Sequence, residues 1–267
     1  MRRVHKKAIS RLLFWLKLFG IDVRKFLRSL GNIPWFVKTL RRYTRLANNG
    51  TTEATRLTLY PCLLDRTDTA GSARGHYFWQ DLYVAQKIHA ENPDKHVDVG
   101  SRFDGFVTHV ASFRHLTVLD IRQLDSDVPN VSFEQLDLME FDPRFESYAD
   151  SVSCLHVIEH FGLGRYGDSI DPHGHLRGLK NIARIVKPGG TLYLAFPAGK
   201  EKVEFNAHRV LSIASILTTL PNFSFVEGML IDDKDSRAFF THSQSRDLIA
   251  MAEKQELGCA VLVLKTA

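Results

Sequence analysis

The chain has 267 residues, 44% hydrophobic and 24% charged, with a formal net charge of +5. That is room for one α/β domain of about 170–200 residues plus an appendage. The cysteines Cys62, Cys154 and Cys259 stand far apart with no CxxC or ligand spacing, which excludes a disulfide framework and reads as reduced thiols.

Residues 1–46 hold thirteen Lys or Arg against one acid, Asp22, so this segment carries +12 and the remainder −7. No basic patch interleaved with aromatics follows residue 50, so nucleic acid is not an expected partner of the body. Leu12, Leu13, Trp15, Leu16 and Phe19, then Phe26, Leu27 and Leu30, then Trp35, Phe36 and Leu40 fall at helical spacing. They predict one or two basic amphipathic helices, broken at Gly31 and Pro34. Lys17 and Asp22 make the apolar run too short and too charged to span a bilayer, and no small-residue cleavage site marks a signal peptide. Two readings stay open: a helix lying on the inner face of a membrane, or an extension packing its Trp and Phe onto the body.

Residues 47–75 are turn-rich and predict a linker with a short strand, Leu57 to Tyr60. His76 to Ala90 predicts a helix able to cover a ligand cleft; His76, Tyr77 and Trp79 are candidates to touch the ligand, with core or surface packing the favoured alternative. The expected division is 1–50 helical extension, 51–90 linker and cleft-covering helix, and 91–267 catalytic-type domain.

The segment His96 to Asp120 reads strand, glycine turn at Gly100, helix, strand, with Asp120 closing the second strand. In an open α/β sheet a nucleotide-like ligand lies outside the carboxyl ends of such strands. The glycine admits close backbone approach, and an acid about 20 residues on accepts ribose hydroxyls. Val131 to Leu136 and Ala149 to His156 predict the next strands. A helix from Leu176 to Val186 stops at Lys187-Pro188-Gly189-Gly190. Thr191 to Phe196 predicts a strand, Ala207 to Leu220 a helix, Phe223 to Ile231 and Cys259 to Lys265 two more strands, with a polar helix near 243–256. Strands alternating with helices imply a mainly parallel, doubly covered sheet.

The runs DVGSRFDG at 98–105, CLHVIEH at 154–160 and IVKPGGTLYLAFP at 185–197, with Asp120 and Asp137 at strand ends, resemble the class I S-adenosylmethionine-dependent methyltransferases. More narrowly, HFGLGRYGDSIDPHGHL and FNAHR are similar to an uncharacterised bacterial branch associated with surface-polysaccharide loci. The resemblance implies a Rossmann-like α/β fold with a seven-stranded, mainly parallel sheet. It implies S-adenosyl-L-methionine as cofactor and O-methylation of a sugar, glycan precursor or small polar metabolite, in the cytoplasm. Arg102 stands where the family's second glycine would be, and Gly105 comes one place late. A catalytically silent protein of the same fold is the alternative, then a nicotinamide-dependent oxidoreductase, whose G-x-G-x-x-G is met at two of three positions.

On this resemblance Asp98, Gly100, Ser101, Arg102, Asp120, Ile121, Asp137, Leu138 and His156 are expected at the cofactor. A hydroxyl acceptor needs a base, and histidine suits neutral pH; His160 and His208 are the candidates. Arg165, Tyr166 and Asp168, in a glycine-rich loop, and Asn206 and Arg209 carry hydrogen-bonding groups suited to a sugar or phosphate. A structural alternative for the loop is an Arg165–Asp168 pair tying it shut. No Cys/His spacing forms a metal set.

Overall fold

The computed structural model describes residues 12–48, 57–235 and 239–267, in two compact units, Met1–Ser72 and Ala73–Ala267. The basic residues at 2, 3, 6, 7 and 11 and most of the linker tip (49–56) lie outside the described residues.

In the first unit, α1 (12–18) and α2 (Val23–Asn48) follow one another. Asp22 Oδ1 accepts from the backbone N–H of Arg24 and Lys25 at 3.1 and 3.0 Å, capping the start of α2. The predicted break does not occur: α2 runs straight through Gly31 and Pro34. Proline removes one intrahelical N–H bond, and the turns on either side carry the helix across. Trp35, Phe36 and Leu40 are half-buried, with Arg66 stacked on Trp35 at 5.2 Å and Asn32 Nδ2 donating to Leu63 O at 2.7 Å. No strand forms over 57–60, whose side chains are exposed; without a neighbouring strand an isolated apolar run has nothing to pair with.

The second unit opens with α3 (His76–Glu91), one residue longer than expected, and β1 (His96–Val99). A kinked helical turn (Phe103–Val107) leads into α4 (Thr108–Ala111), then β2 (Leu116–Asp120), β3 (Val131–Gln135) and β4 (Ala149–Leu155). After α5 (Gly174–Ile185), β5 (Val186–Ala198) runs directly through the Lys-Pro-Gly-Gly sequence, with a register shift opposite Ala149–Ser151. The helix expected from Ala207 is a hairpin instead, β6 (Lys202–Glu204) and β7 (His208–Val210). Only then does α6 (Ile213–Thr219) begin, capped by Ser212. The elements β8 (Phe223–Ile231), β9 (Phe239–His242), α7 (Ser245–Ala252) and β10 (Gly258–Thr266) complete the unit.

The main sheet has eight strands, not seven, in the order β3-β2-β1-β4-β5-β10-β8-β9. It is parallel from β3 to β5; β10 runs antiparallel to both β5 and β8, and β9 is an added antiparallel edge. This is a Rossmann-like, mainly parallel sheet ending in three strands joined by antiparallel pairing. Side chains alternate across the sheet. Leu192, Leu194 and Phe196 of β5 pack with α5, α6 and α7, while Tyr193 and Ala195 pack with α3 and α4. Covered on both faces, β1 and β2 are buried along their whole length. The order reverses at β1, with β2 on one side and β4 on the other, so a crevice opens at their carboxyl ends.

Candidate functional site

A cavity of about 300 Å³ fills that crevice, walled by the ends of β1, β2 and β4 and roofed by the first turns of α3. Gly100 ends β1 at φ +66, and a Cβ there would lie 2.8 Å from Val157 Cγ1, so neither the conformation nor the space admits another residue. Asp98 lies beneath this turn, fully buried and outside the cavity wall. Its Oδ1 accepts from the hydroxyls of Ser101 and Ser153 at 2.8 and 2.6 Å, and Oδ2 from Ser101 N–H at 3.1 Å. Burial pushes its carboxyl up to about 7. Asp98 therefore shapes the loop from below.

Gly100, Ser101, Arg102, Asp120, Ile121, Asp137, Leu138 and His156 do line the cavity. Arg102 leans outward and binds Asp104 through Nε and Nη2 at 2.9 and 2.6 Å, so it frames the mouth. Asp120 is 7% exposed and already holds an arginine. Arg122 binds it through Nη2, through Nε at 2.9 Å and through its backbone N–H at 2.8 Å. Arg122 also reaches Gly100 O at 3.2 Å and stacks on Tyr166 at 5.0 Å.

His156 has φ +57, a conformation non-glycine residues seldom adopt. Its ring binds Gln80 Oε1 at 2.7 Å and packs against His76 and Tyr77. His160 donates from Nδ1 to Ala207 O at 2.7 Å, leaving its lone pair on Nε2, 3.7 Å from Glu159 Oε1. Burial lowers His160 to about 4 and raises Glu159, whose Oε2 has no partner, to about 8. His160 is thus a neutral, weakly basic wall residue near pH 7.

Of the residues expected around the acceptor, Arg165, Tyr166 and Asp168 line the cavity. Arg165 donates to Ala207 O at 2.8 Å and flanks the Tyr166 ring. Asp168 does not pair with Arg165. Its carboxylate accepts from the N–H groups of Gly162, Gly164 and Tyr166 at 2.8, 3.1 and 3.1 Å, which closes the loop through backbone. The other three stand apart from the cavity. His208 lies on β7 beside Glu204, at 3.7 Å, and Asn206 is exposed in the hairpin turn. Arg209 is 4% exposed and donates to the carbonyls of Glu159, Phe161, Asp171 and Pro172 at 2.6–3.4 Å. A buried guanidinium that gathers carbonyls is a fastening, and it draws 208–210 into a strand where periodicity suggested helix.

Sequence reasoning missed Gln80, Asp81 and Arg122, all in the cavity wall. The available signal was a pair of polar residues beside the apolar face of a helix. Asp81 is 7% exposed, and burial raises its carboxyl to about 6. Tyr77 lines the cavity; His76 and Trp79 do not.

A family model described as "Caenorhabditis protein of unknown function, DUF268" matches residues 107–265. That description makes no reference to polysaccharide. A search of curated proteins finds no match. Among solved structures, the N-methyltransferase NodS of Bradyrhizobium japonicum WM9, in complex with S-adenosyl-L-homocysteine, is 14% identical with a TM-score of 0.46, over 71% of this chain and 87% of that one. The 1,6-didemethyltoxoflavin-N1-methyltransferase of Burkholderia thailandensis is 13% identical at 0.47, over 70% and 78%. The [4+2]-cyclase SpnF is 14% identical at 0.48, over 74% and 84%. At such identities the likeness concerns fold alone.

Proposed function

We propose that this chain, which belongs to the DUF268 family, is a class I S-adenosylmethionine-dependent methyltransferase acting on a hydroxyl of a sugar, glycan precursor or small polar metabolite. One observation carries the reading: the cavity sits at the sheet's switch point with Gly100, Asp120 and Asp137 at three successive strand ends. The donor set fits an adenosine-sized cationic ligand. Asp120 and Asp137 offer acceptors for ribose and adenine, Ile121 and Leu138 apolar faces for the ring, and Asp81 a carboxylate toward positive charge. S-Adenosylmethionine would supply an activated methyl on a positively charged sulfur.

The protein's part is alignment and exclusion of water. Asp120 would accept ribose hydroxyls once Arg122 swings aside. Arg165 and Tyr166 frame the side from which an acceptor would enter. His160 Nε2 is the nearest expected base, and its low basicity suits it to orienting an acceptor hydroxyl more than to ionising it. The basic helices of the first unit are proposed to rest on an anionic membrane surface; among the described residues no helix is long and apolar enough to cross one.

Titration calorimetry with S-adenosylhomocysteine and NAD tests the reading. The homocysteine compound binds, NAD does not, and Asp120→Ala weakens binding at least about tenfold. NAD binding, or an indifferent Asp120→Ala, rejects it. The arginine held on Asp120 favours a second reading, a silent protein of this fold. That reading is selected if Arg122→Ala binds S-adenosylhomocysteine and the parent does not.

A further inference from the structure

Three residues, of which only His156 also lines the cavity, meet behind its roof. His76 begins α3, His156 follows β4 and Cys259 lies near the start of β10, 80 and 103 positions apart in sequence. One ligand atom from each lies within 4.8 Å of the other two. Cys259 Sγ stands 3.9 Å from His156 Nδ1, and the two imidazole rings are 5.4 Å apart. We propose that His76, His156 and Cys259 bind a zinc-class divalent cation that staples the first turn of α3 to the ends of β4 and β10.

The ligand chemistry selects the metal. Two imidazoles and a thiol are a borderline-soft set, suited to zinc and its neighbours and poorly suited to magnesium or calcium, which take oxygen. Zn–S near 2.3 Å and Zn–N near 2.0–2.1 Å, at tetrahedral angles, put sulfur and nitrogen about 3.5 Å apart. The 3.9 Å observed needs only a few tenths of an ångström of contraction.

The surroundings are those of a held site. His156 keeps a left-handed backbone, and its N–H donates to Ala195 O at 2.8 Å. Strain at a non-glycine residue persists where neighbours enforce it, and functional positions collect such residues. Its Nδ1 meets Gln80 Oε1, on a residue 1% exposed, at 2.7 Å; ligation through Nδ1 would shift the ring proton to Nε2 and replace that hydrogen bond. Cys259 is fully buried, while His76 is partly exposed, so a cation enters past His76. On binding, the thiol gives its proton to solvent and the thiolate takes its place. The gain is mechanical: Tyr77, Gln80 and Asp81, which roof the cavity, lie within five residues of the staple.

The full chain, stripped with chelator and titrated with Co(II), tests this. One equivalent should give tetrahedral cobalt bands with a thiolate charge-transfer band, displaced by Zn(II). The thiolate band should vanish in Cys259→Ser and persist in Cys62→Ser, and His76→Ala should weaken cobalt binding at least about tenfold. Zn(II) should raise the Tm of the parent and leave that of His76→Ala unchanged. His76 is at the solvent edge, so that variant decides if Cys259→Ser does not fold. Absence of the band, its survival in Cys259→Ser, or a Zn(II) response unchanged in His76→Ala overturns the proposal. None of these readouts contains a methyl donor, so they stand apart from the outcome of the calorimetry.

Discussion

Asp81 is a buried carboxylate facing a cavity, with Oδ1 taken by Gln80 Nε2 at 3.1 Å and burial as the main reason its pKa rises to about 6. The folded chain therefore holds this proton more tightly than the unfolded chain, where a carboxyl loses it near 4. The stability tied to that proton is present below about pH 4 and is lost as pH climbs through 6. A cationic ligand reverses the preference, since it needs the ionised form. Affinity for S-adenosylmethionine should rise about tenfold from pH 5 to pH 7, and Asp81→Asn should flatten the dependence while lowering affinity at pH 7. Calorimetry at the two pH values reads both. A dependence of the same size in Asp81→Asn assigns the titration elsewhere.

Elements whose signal is local were legible in the sequence, and elements set by distant partners were not. The glycine after β1, the acid closing β2 and the long apolar runs of β5 and β10 follow from period and turn chemistry alone. The hairpin β6–β7 does not. Val210, Leu211, Ile213 and Ile216 keep a helix-like spacing, yet Arg209 belongs to carbonyls 37–50 positions away. Asp168 likewise accepts from three N–H groups of its own loop, contacts that residue spacing does not show. A buried guanidinium removed without replacement leaves those carbonyls unpaired. Arg209→Met should cost about 3 kcal/mol, lowering Tm by roughly 6–12 °C for a unit of this size. Denaturant unfolding checks it, and a loss under about 1 kcal/mol would mean the carbonyls find other donors. S-Adenosylhomocysteine affinity, measured well below the transition, should stay within about twofold, since Arg209 is outside the cavity wall.

At the scale of the whole molecule the charge is divided as the fold is: the excess of cations lies in the first unit and the excess of acids in the second. The first unit spends only part of its apolar face internally. Trp35 and Phe36 are half-buried beside the loop at 63–67, while Phe14, Trp15, Phe19, Phe26 and Leu27 remain exposed by more than half. Arg24, Lys25, Arg28, Lys38, Arg41, Arg42 and Arg45 share α2 with Phe26 and Leu27, and that helix holds no acid. Aromatic and aliphatic side chains beside cations are what an interfacial helix presents to a bilayer. Each cation near an anionic leaflet contributes on the order of 1 kcal/mol. Reversing Arg41, Arg42 and Arg45 together to Glu in the full chain should therefore cut partitioning into phosphatidylglycerol vesicles by at least roughly 100-fold. Neutral phosphatidylcholine vesicles should retain little of either protein, and added salt should release the parent from the anionic ones as exposed charges are screened. Flotation gradients read all three. Equal flotation of parent and variant would assign the exposed aromatic residues to a protein surface, because an anionic membrane could not ignore the loss of three cations.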